Sequence, residues 1–158
     1  MTLALRDPSL LRTQCYVDGA FVGEPADVVR NPATGEELAL FPALDGTAAK
    51  ATVDAAARAF KPWSRRLAKE RSAILRNWFD LLIANREDLA LILTSEQGKP
   101  LAEALGEIDY AASYVEFYAE EAKRIAGETL PSHRADGRIM VLRQPTGVVA
   151  AITPWNFP

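Results

Sequence analysis

Apolar residues recur at helical spacing through the middle of this chain and alternate in short extended runs towards its two ends. Between residues 15 and 22, Tyr16, Val17, Phe21 and Val22 flank Asp18-Gly19, a pair suited to a tight hairpin turn. In "VVRNPATGEE", Asn31-Pro32 and Thr34-Gly35 place a second turn between two extended pieces. The texture becomes helical from Asp45 to Gly127, with breaks at Pro62, around Asn85 and at Gly98-Lys99-Pro100.

The first helix is predicted over residues 48–60, with Thr47 as N-cap and Pro62 as its stop. A second presents Ile74, Leu75, Trp78, Leu81 and Leu82 at helical spacing and ends near Asn85, and a third carries Leu89, Ile92 and Leu93 up to Gly98. These faces predict core packing. The longest helix opens with Pro100 in its first turn and runs towards Gly127, aligning Leu101, Leu105, Ile108, Ala112, Val115, Ala119, Ala122 and Ile125 on one stripe. Glu103, Glu107, Asp109, Glu116, Glu120 and Glu121 lie off that stripe, a solvated face or a site for a cation or basic partner, and Lys123 and Arg124 suit a helix C-terminus. Tyr110, Tyr114, Phe117 and Tyr118 interleave with them at a spacing that usually means core or interface.

Beyond Gly127 the chain reads as extended, with a hairpin turn at Asp136-Gly137 before a strand over residues 139–143. The final run, Val148 to Ile152, has the β-branched and small apolar character of a buried strand, and Pro154 turns the chain at its end. One such strand does not make a parallel sheet, so four helices, a few strands and this last element form an unbalanced set of layers. Further βα units are expected to follow, which makes the chain the front part of an α/β enzyme.

Composition narrows the function. With 49% hydrophobic and 25% charged residues, the chain is ordinary for a globular protein. A net charge of −3 without a basic block argues against nucleic acid as a partner, and no run approaches the length of a membrane span. With no signal-peptide pattern the expected compartment is the cytoplasm. The single Cys15 excludes an internal disulfide, and with the single His133 nothing has zinc-ligand spacing, so no metal site is expected. Cys15 lies in the first hairpin with no neighbouring histidine or helix start to lower its pKa, and it reads as structural.

Motifs for phosphate binding are missing. The nine glycines form no G-x-G-x-x-G pattern, and Gly98-Lys99 lacks the upstream glycine of a P-loop. "TPWNFP", Thr153 to Pro158, remains. Asn156 is a neutral amide donor at a strand's C-terminal end, between two prolines that limit the backbone and two aromatic residues that would restrict water. Such an amide can stabilise a developing oxyanion, and equally its side chain can cap its own turn.

"TPWNFP", preceded by "QPTGVVAAI" at Gln144 to Ile152, resembles the strand-and-loop motif of the NAD(P)-dependent aldehyde dehydrogenase superfamily. "NPATGE" at Asn31, "KERSAILRNWFDLL" at Lys69, and the run from Leu93 to Ser132 match in order, so the resemblance covers nearly the whole chain from about Leu10. The wording "EQGKPLAEA" and "EIDYAASYVEFYAEEAKRI" is most similar to the succinate-semialdehyde dehydrogenase branch, with dehydrogenases of glutarate semialdehyde and other short acidic aldehydes as close neighbours.

The resemblance implies oxidation of an aldehyde to a carboxylate with NAD or NADP. A cysteine attacks the carbonyl, a backbone NH and an Asn amide hold the oxyanion, hydride passes to the nicotinamide, and a Glu-activated water hydrolyses the thioester. Asn156 matches the amide donor, and Ile152, Thr153, Pro154, Trp155 and Asn156 match the loop that lines the cofactor. The nucleophile, the Glu base, the cofactor's glycine loop and the basic residue for the substrate carboxylate match positions beyond Pro158, so these 158 residues are expected to be inactive alone. The fold implied is the N-terminal part of the aldehyde dehydrogenase fold: hairpin and cofactor-domain helices over 1–127, part of a β oligomerisation arm over 128–145, and the first strand and loop of a Rossmann-like sheet over 146–158. The intact protein would be a homo-oligomer acting on a small acidic aldehyde. A non-catalytic interaction module derived from the same family is the alternative.

Overall fold

The first hairpin follows directly from its turn residues. In the computed structural model, which describes residues 3–158, β1 (Cys15–Val17) and β2 (Ala20–Val22) pair antiparallel with Tyr16 opposite Phe21. Asp18 and Gly19 between them take φ of 52° and 84°, the positive values that a two-residue hairpin turn requires. Met1 and Thr2, at the head of segment 1–127, lie outside the described residues. A second antiparallel pair, β3 (Asp27–Arg30) and β4 (Glu37–Phe41), is joined by a turn in which the Ala33 amide donates to Asn31 Oδ1 at 2.9 Å.

Four helices follow: α1 (Gly46–Ser64), α2 (Ala68–Ala84), α3 (Arg86–Gln97) and α4 (Leu101–Glu121). Their number agrees with the sequence reading, and several ends do not. Asp45, not Thr47, caps α1, accepting from the Ala48 amide at 2.9 Å, because a carboxylate two residues earlier reaches the same free amides. Pro62 does not stop α1 but sits in its last turns, where one missing N–H leaves neighbouring bonds to carry the helix to Ser64. Pro100 is the N-cap of α4 rather than a first-turn residue. That helix ends at Glu121, six residues before Gly127, and Lys123 and Arg124 lie past it, reaching back to Glu120 (3.0 Å) and Glu121 (2.8 Å).

Helix α4 packs against α2 and α3, and its stripe is buried as expected through Ala112 and Ala119, joined by Ala104. The core is built of small residues. Among the described residues no large side chain is fully buried, and Ile74, Trp78 and Leu81 of α2 are exposed instead of packed. Tyr110, Tyr114, Phe117 and Tyr118 are also exposed, stacking on one another, with the Tyr110 and Tyr114 hydroxyls 2.8 Å apart. Helical periodicity identified the apolar faces, and those carrying Trp78 on α2 and Tyr114 on α4 are left exposed among the described residues. The acidic residues of α4 lie largely on a solvated face, with Glu103 and Asp109 exposed and Asp109 and Glu116 paired at the surface with Arg86 and Arg76, whereas Glu107 is drawn into a nearly buried pair with Lys99.

Gly98 closes α3 with φ of 85°, its amide donating to the Thr94 carbonyl at 2.9 Å. A Cβ built there would stand 2.7 Å from Pro32 Cγ in the β3–β4 turn. Gly98→Ala therefore combines a left-handed backbone with a close approach, and we expect a loss of about 1–3 kcal/mol, read as a lower denaturant midpoint.

The third hairpin, β5 (Glu128–Leu130) with β6 (Ile139–Val141), forms where Asp136-Gly137 predicted a turn, though β6 is shorter than the expected 139–143. The Val148 to Ile152 strand does not form: residues 142–153 carry no regular structure, and Val148, Val149 and Ile152 are exposed. A strand exists only through a hydrogen-bonded neighbour, and none of the three two-stranded sheets extends to these residues. No described helix is long and apolar enough to cross a membrane.

Candidate active-site loop

Pro154 fixes the backbone where the chain turns, and the Phe157 amide donates to the Pro154 carbonyl at 3.0 Å, closing a turn over Trp155 and Asn156. The turn is made by backbone alone. Among the described residues the Asn156 side chain makes no hydrogen bond, so the arrangement in which it caps its own turn is not the one observed. Its carbonyl is engaged: Lys99 Nζ donates to Asn156 O at 2.7 Å.

Lys99 reaches this carbonyl because Gly98 reverses the chain at the end of α3 and Pro100 starts α4 two residues later. The same ammonium pairs with Glu107, two turns into α4, and lies 4.2 Å from the centroid of the Phe157 ring. Both members of the ion pair are only 10% exposed. A groove of about 340 Å³ opens beside them, lined by Gln97, Gly98, Lys99, Pro100, Glu103, Trp155, Asn156 and Phe157. Gln97 Oε1 is buried without a hydrogen-bond partner.

The five residues matched to a cofactor loop are contiguous, with residues 152–155 exposed and Asn156 half-buried. Ile152 is 97% exposed and Trp155 83%, so the Trp155 ring is itself open to water rather than packed over the loop as expected, while Phe157 meets Lys99. Backbone groups of Ile152 and Thr153 have no ladder partner and can face a ligand, which suits one wall of a dinucleotide site. Among the described residues no group of His, Cys, Asp or Glu could hold a metal; Cys15 sits in β1 and His133 is exposed in the β5–β6 connection.

Next to this groove, burial holds the Glu96 carboxyl above its ordinary pKa. For an acid shifted upward, the stability its protonated form contributes is whole at acid pH and is lost as pH rises through the folded-state value. Glu96→Gln should thus raise the melting temperature at pH 7 by roughly 1–2 °C and leave it unchanged near pH 3.5, seen by calorimetry at both pH values.

Sequence reasoning singled out Asn156 and the residues before it but gave Lys99 no role at this loop. The two residues lie 57 positions apart, and no periodicity links a helix-end lysine to a distant carbonyl.

With this geometry in place, the comparisons assign the chain. Residues 23–158 match the model of the aldehyde dehydrogenase family, and the chain belongs to that family. It is 53% identical to 3-sulfolactaldehyde dehydrogenase of Pseudomonas putida and 51% identical to the NADP⁺ succinate-semialdehyde dehydrogenase of Escherichia coli K12, each over 99% of this chain and 33% of the relative. Its fold superposes on the crystal structure of succinate-semialdehyde dehydrogenase from Burkholderia pseudomallei with a TM-score of 0.95 and 54% identity, over 98% of this chain and 33% of that one. It also superposes on betaine aldehyde dehydrogenase of Staphylococcus aureus in complex with NAD⁺, with a TM-score of 0.88 and 30% identity, over 95% of this chain and 31% of that one. The chain spans about a third of the length of the relatives it matches. The mixed helices and small sheets are those of an N-terminal portion of this fold.

Proposed function

We propose that this chain is the N-terminal third of an NAD(P)-dependent dehydrogenase that oxidises a short acidic semialdehyde, succinate semialdehyde foremost, to the carboxylic acid. The observation that carries the reading is Asn156: a side-chain amide with no hydrogen-bond partner among the described residues, on a backbone-closed turn, in a loop of the "TPWNFP" type within a chain about half identical to semialdehyde dehydrogenases. In the intact enzyme, the Asn156 amide donates to the oxygen of the aldehyde as it becomes an oxyanion. Ile152, Thr153, Pro154 and Trp155 form a wall for the cofactor through backbone and packing, and the bound nicotinamide supplies the hydride acceptor. Residues 1–127 belong to the cofactor-binding domain, 128–145 to an oligomerisation arm, and 146–158 to the first strand of its sheet. Val148 to Ile152 becomes ordered when neighbouring strands supply the ladder bonds missing here.

The bare faces of α2 and α4 and a core of alanines fit the same reading, since helices with this much exposed apolar surface are built to be covered. A test exchanges this chain for the matching first third of the E. coli relative, to which it is 51% identical. The chimera should reduce NADP⁺ with succinate semialdehyde, while the 158 residues alone should not. A folded chimera that turns over other aldehydes but no short acidic semialdehyde would refute the substrate assignment. Turnover by the isolated chain would refute its dependence on the remaining two thirds.

A further inference from the structure

Lys99 makes two hydrogen bonds and one ring contact at a single junction. One goes to the Glu107 carboxylate, one to the Asn156 carbonyl at 2.7 Å, and the ammonium sits against the Phe157 ring 4.2 Å from its centroid. Two of these three partners belong to the loop, and they flank the Asn156 side chain on its own residue and the next. Among the described residues, no other side-chain hydrogen bond or ion pair holds residues 147–158 to the helices.

We propose that Lys99 is a positioning residue: its ammonium, fixed on α4 by Glu107, clamps the Asn156 carbonyl and the Phe157 ring and so sets the direction of the Asn156 amide. The physical argument has two steps. A four-carbon side chain ordinarily samples many rotamers, but a 10% exposed ammonium facing a carboxylate and a π face is held in one. A carbonyl clamped at the peptide that follows Asn156 then leaves its side chain few orientations, whereas an unclamped loop with no strand partner would swing freely. Oxyanion stabilisation depends on a donor preset where charge develops, so the clamp acts on rate through Asn156 without touching substrate.

The inference rests on the oxyanion reading of Asn156, and its test keeps the two apart by measuring loop order without turnover. In the wild-type 158-residue chain, NMR should show ring-current-shifted Lys99 ε-methylene protons with cross-relaxation to the Phe157 ring. The Phe157 amide should be protected from hydrogen exchange, and Lys99→Met should accelerate that exchange about tenfold or more, the scale of one charge-assisted hydrogen bond. Because Lys99→Met strands the Glu107 carboxylate, the double variant Lys99→Met/Glu107→Gln removes both charges, and it should loosen the loop equally while Ala112 in α4 stays protected. Absence of the Lys99–Phe157 contact in wild type, or unchanged Phe157 exchange in a double variant with intact helices, overturns the clamp whatever Asn156 does. In the chimera the double variant should lower kcat roughly 10- to 100-fold with little change in the KM for aldehyde. A loop loosened as described beside an Asn156→Ala chimera of undiminished kcat would leave the clamp standing and remove the oxyanion reading alone.

Discussion

Replacing Asn156 by alanine in the completed enzyme should lower kcat by roughly 10²–10³ while the KM for the semialdehyde changes little. The magnitude is that of one donor lost from an oxyanion hole, about 3–4 kcal/mol of transition-state stabilisation. The split between kcat and KM follows from where the charge develops: the ground-state carbonyl accepts a weak hydrogen bond, the oxyanion a strong one, so the amide acts on the transition state selectively. Among the described residues Asn156 makes no side-chain hydrogen bond, so its removal breaks none, and melting temperature should change little. Steady-state kinetics of the Asn156→Ala chimera beside its melting curve checks both halves. Equal losses in stability and rate would mean that Asn156 is a structural residue.

The second large effect concerns stability. Asp88, only 6% exposed in the first turn of α3, accepts the Arg6 amide at 3.1 Å and the Asp7 amide at 2.8 Å, while Arg6 Nη1 pairs with neighbouring Glu87 at 2.7 Å. This carboxylate fastens the N-terminal segment, with its buried Leu3, onto a helix more than 80 residues away. It also stands where the helix dipole favours a negative charge. Asp88→Ala removes two charge-assisted bonds and leaves two backbone amides unpaired, which should cost about 2–4 kcal/mol, or roughly 5–15 °C in melting temperature. By contrast, the exposed Arg76–Glu116 pair should contribute less than about 1 kcal/mol despite its good 2.8 Å geometry. Thermal unfolding of the two variants side by side, Asp88→Ala and Glu116→Ala, gives the comparison. Similar losses would mean that exposure does not separate these contacts.

Those two cases show what the sequence could and could not reveal. Local chemistry was legible: Asp18-Gly19, Thr34-Gly35 and Asp136-Gly137 mark the three hairpin turns, and Gly98 marks the end of α3, because each signal concerns a residue's own backbone freedom. Helical periodicity likewise located all four helices. It misjudged their surroundings, since Trp78 and Tyr114 carry the period of a buried face whether or not anything covers it. The same limit applies to Val148 to Ile152, whose residues have strand character while none of the sheets among the described residues reaches them. Asn156 was recognisable because its motif is contiguous. Asp88 and Lys99 were not, because each makes its decisive bonds across 57 to 82 positions of sequence.

Whether these residues work as one third of a larger catalytic subunit is decided by the intact mass of the native product. An antibody raised against residues 3–144 would identify that product in cells, and mass spectrometry would weigh it. The expected species is about 50 kDa, three times the 17.3 kDa of this chain, in keeping with its 33% share of the relatives. A stable species at 17.3 kDa would contradict it, and would make the chain a non-catalytic module whose exposed helix faces serve a partner.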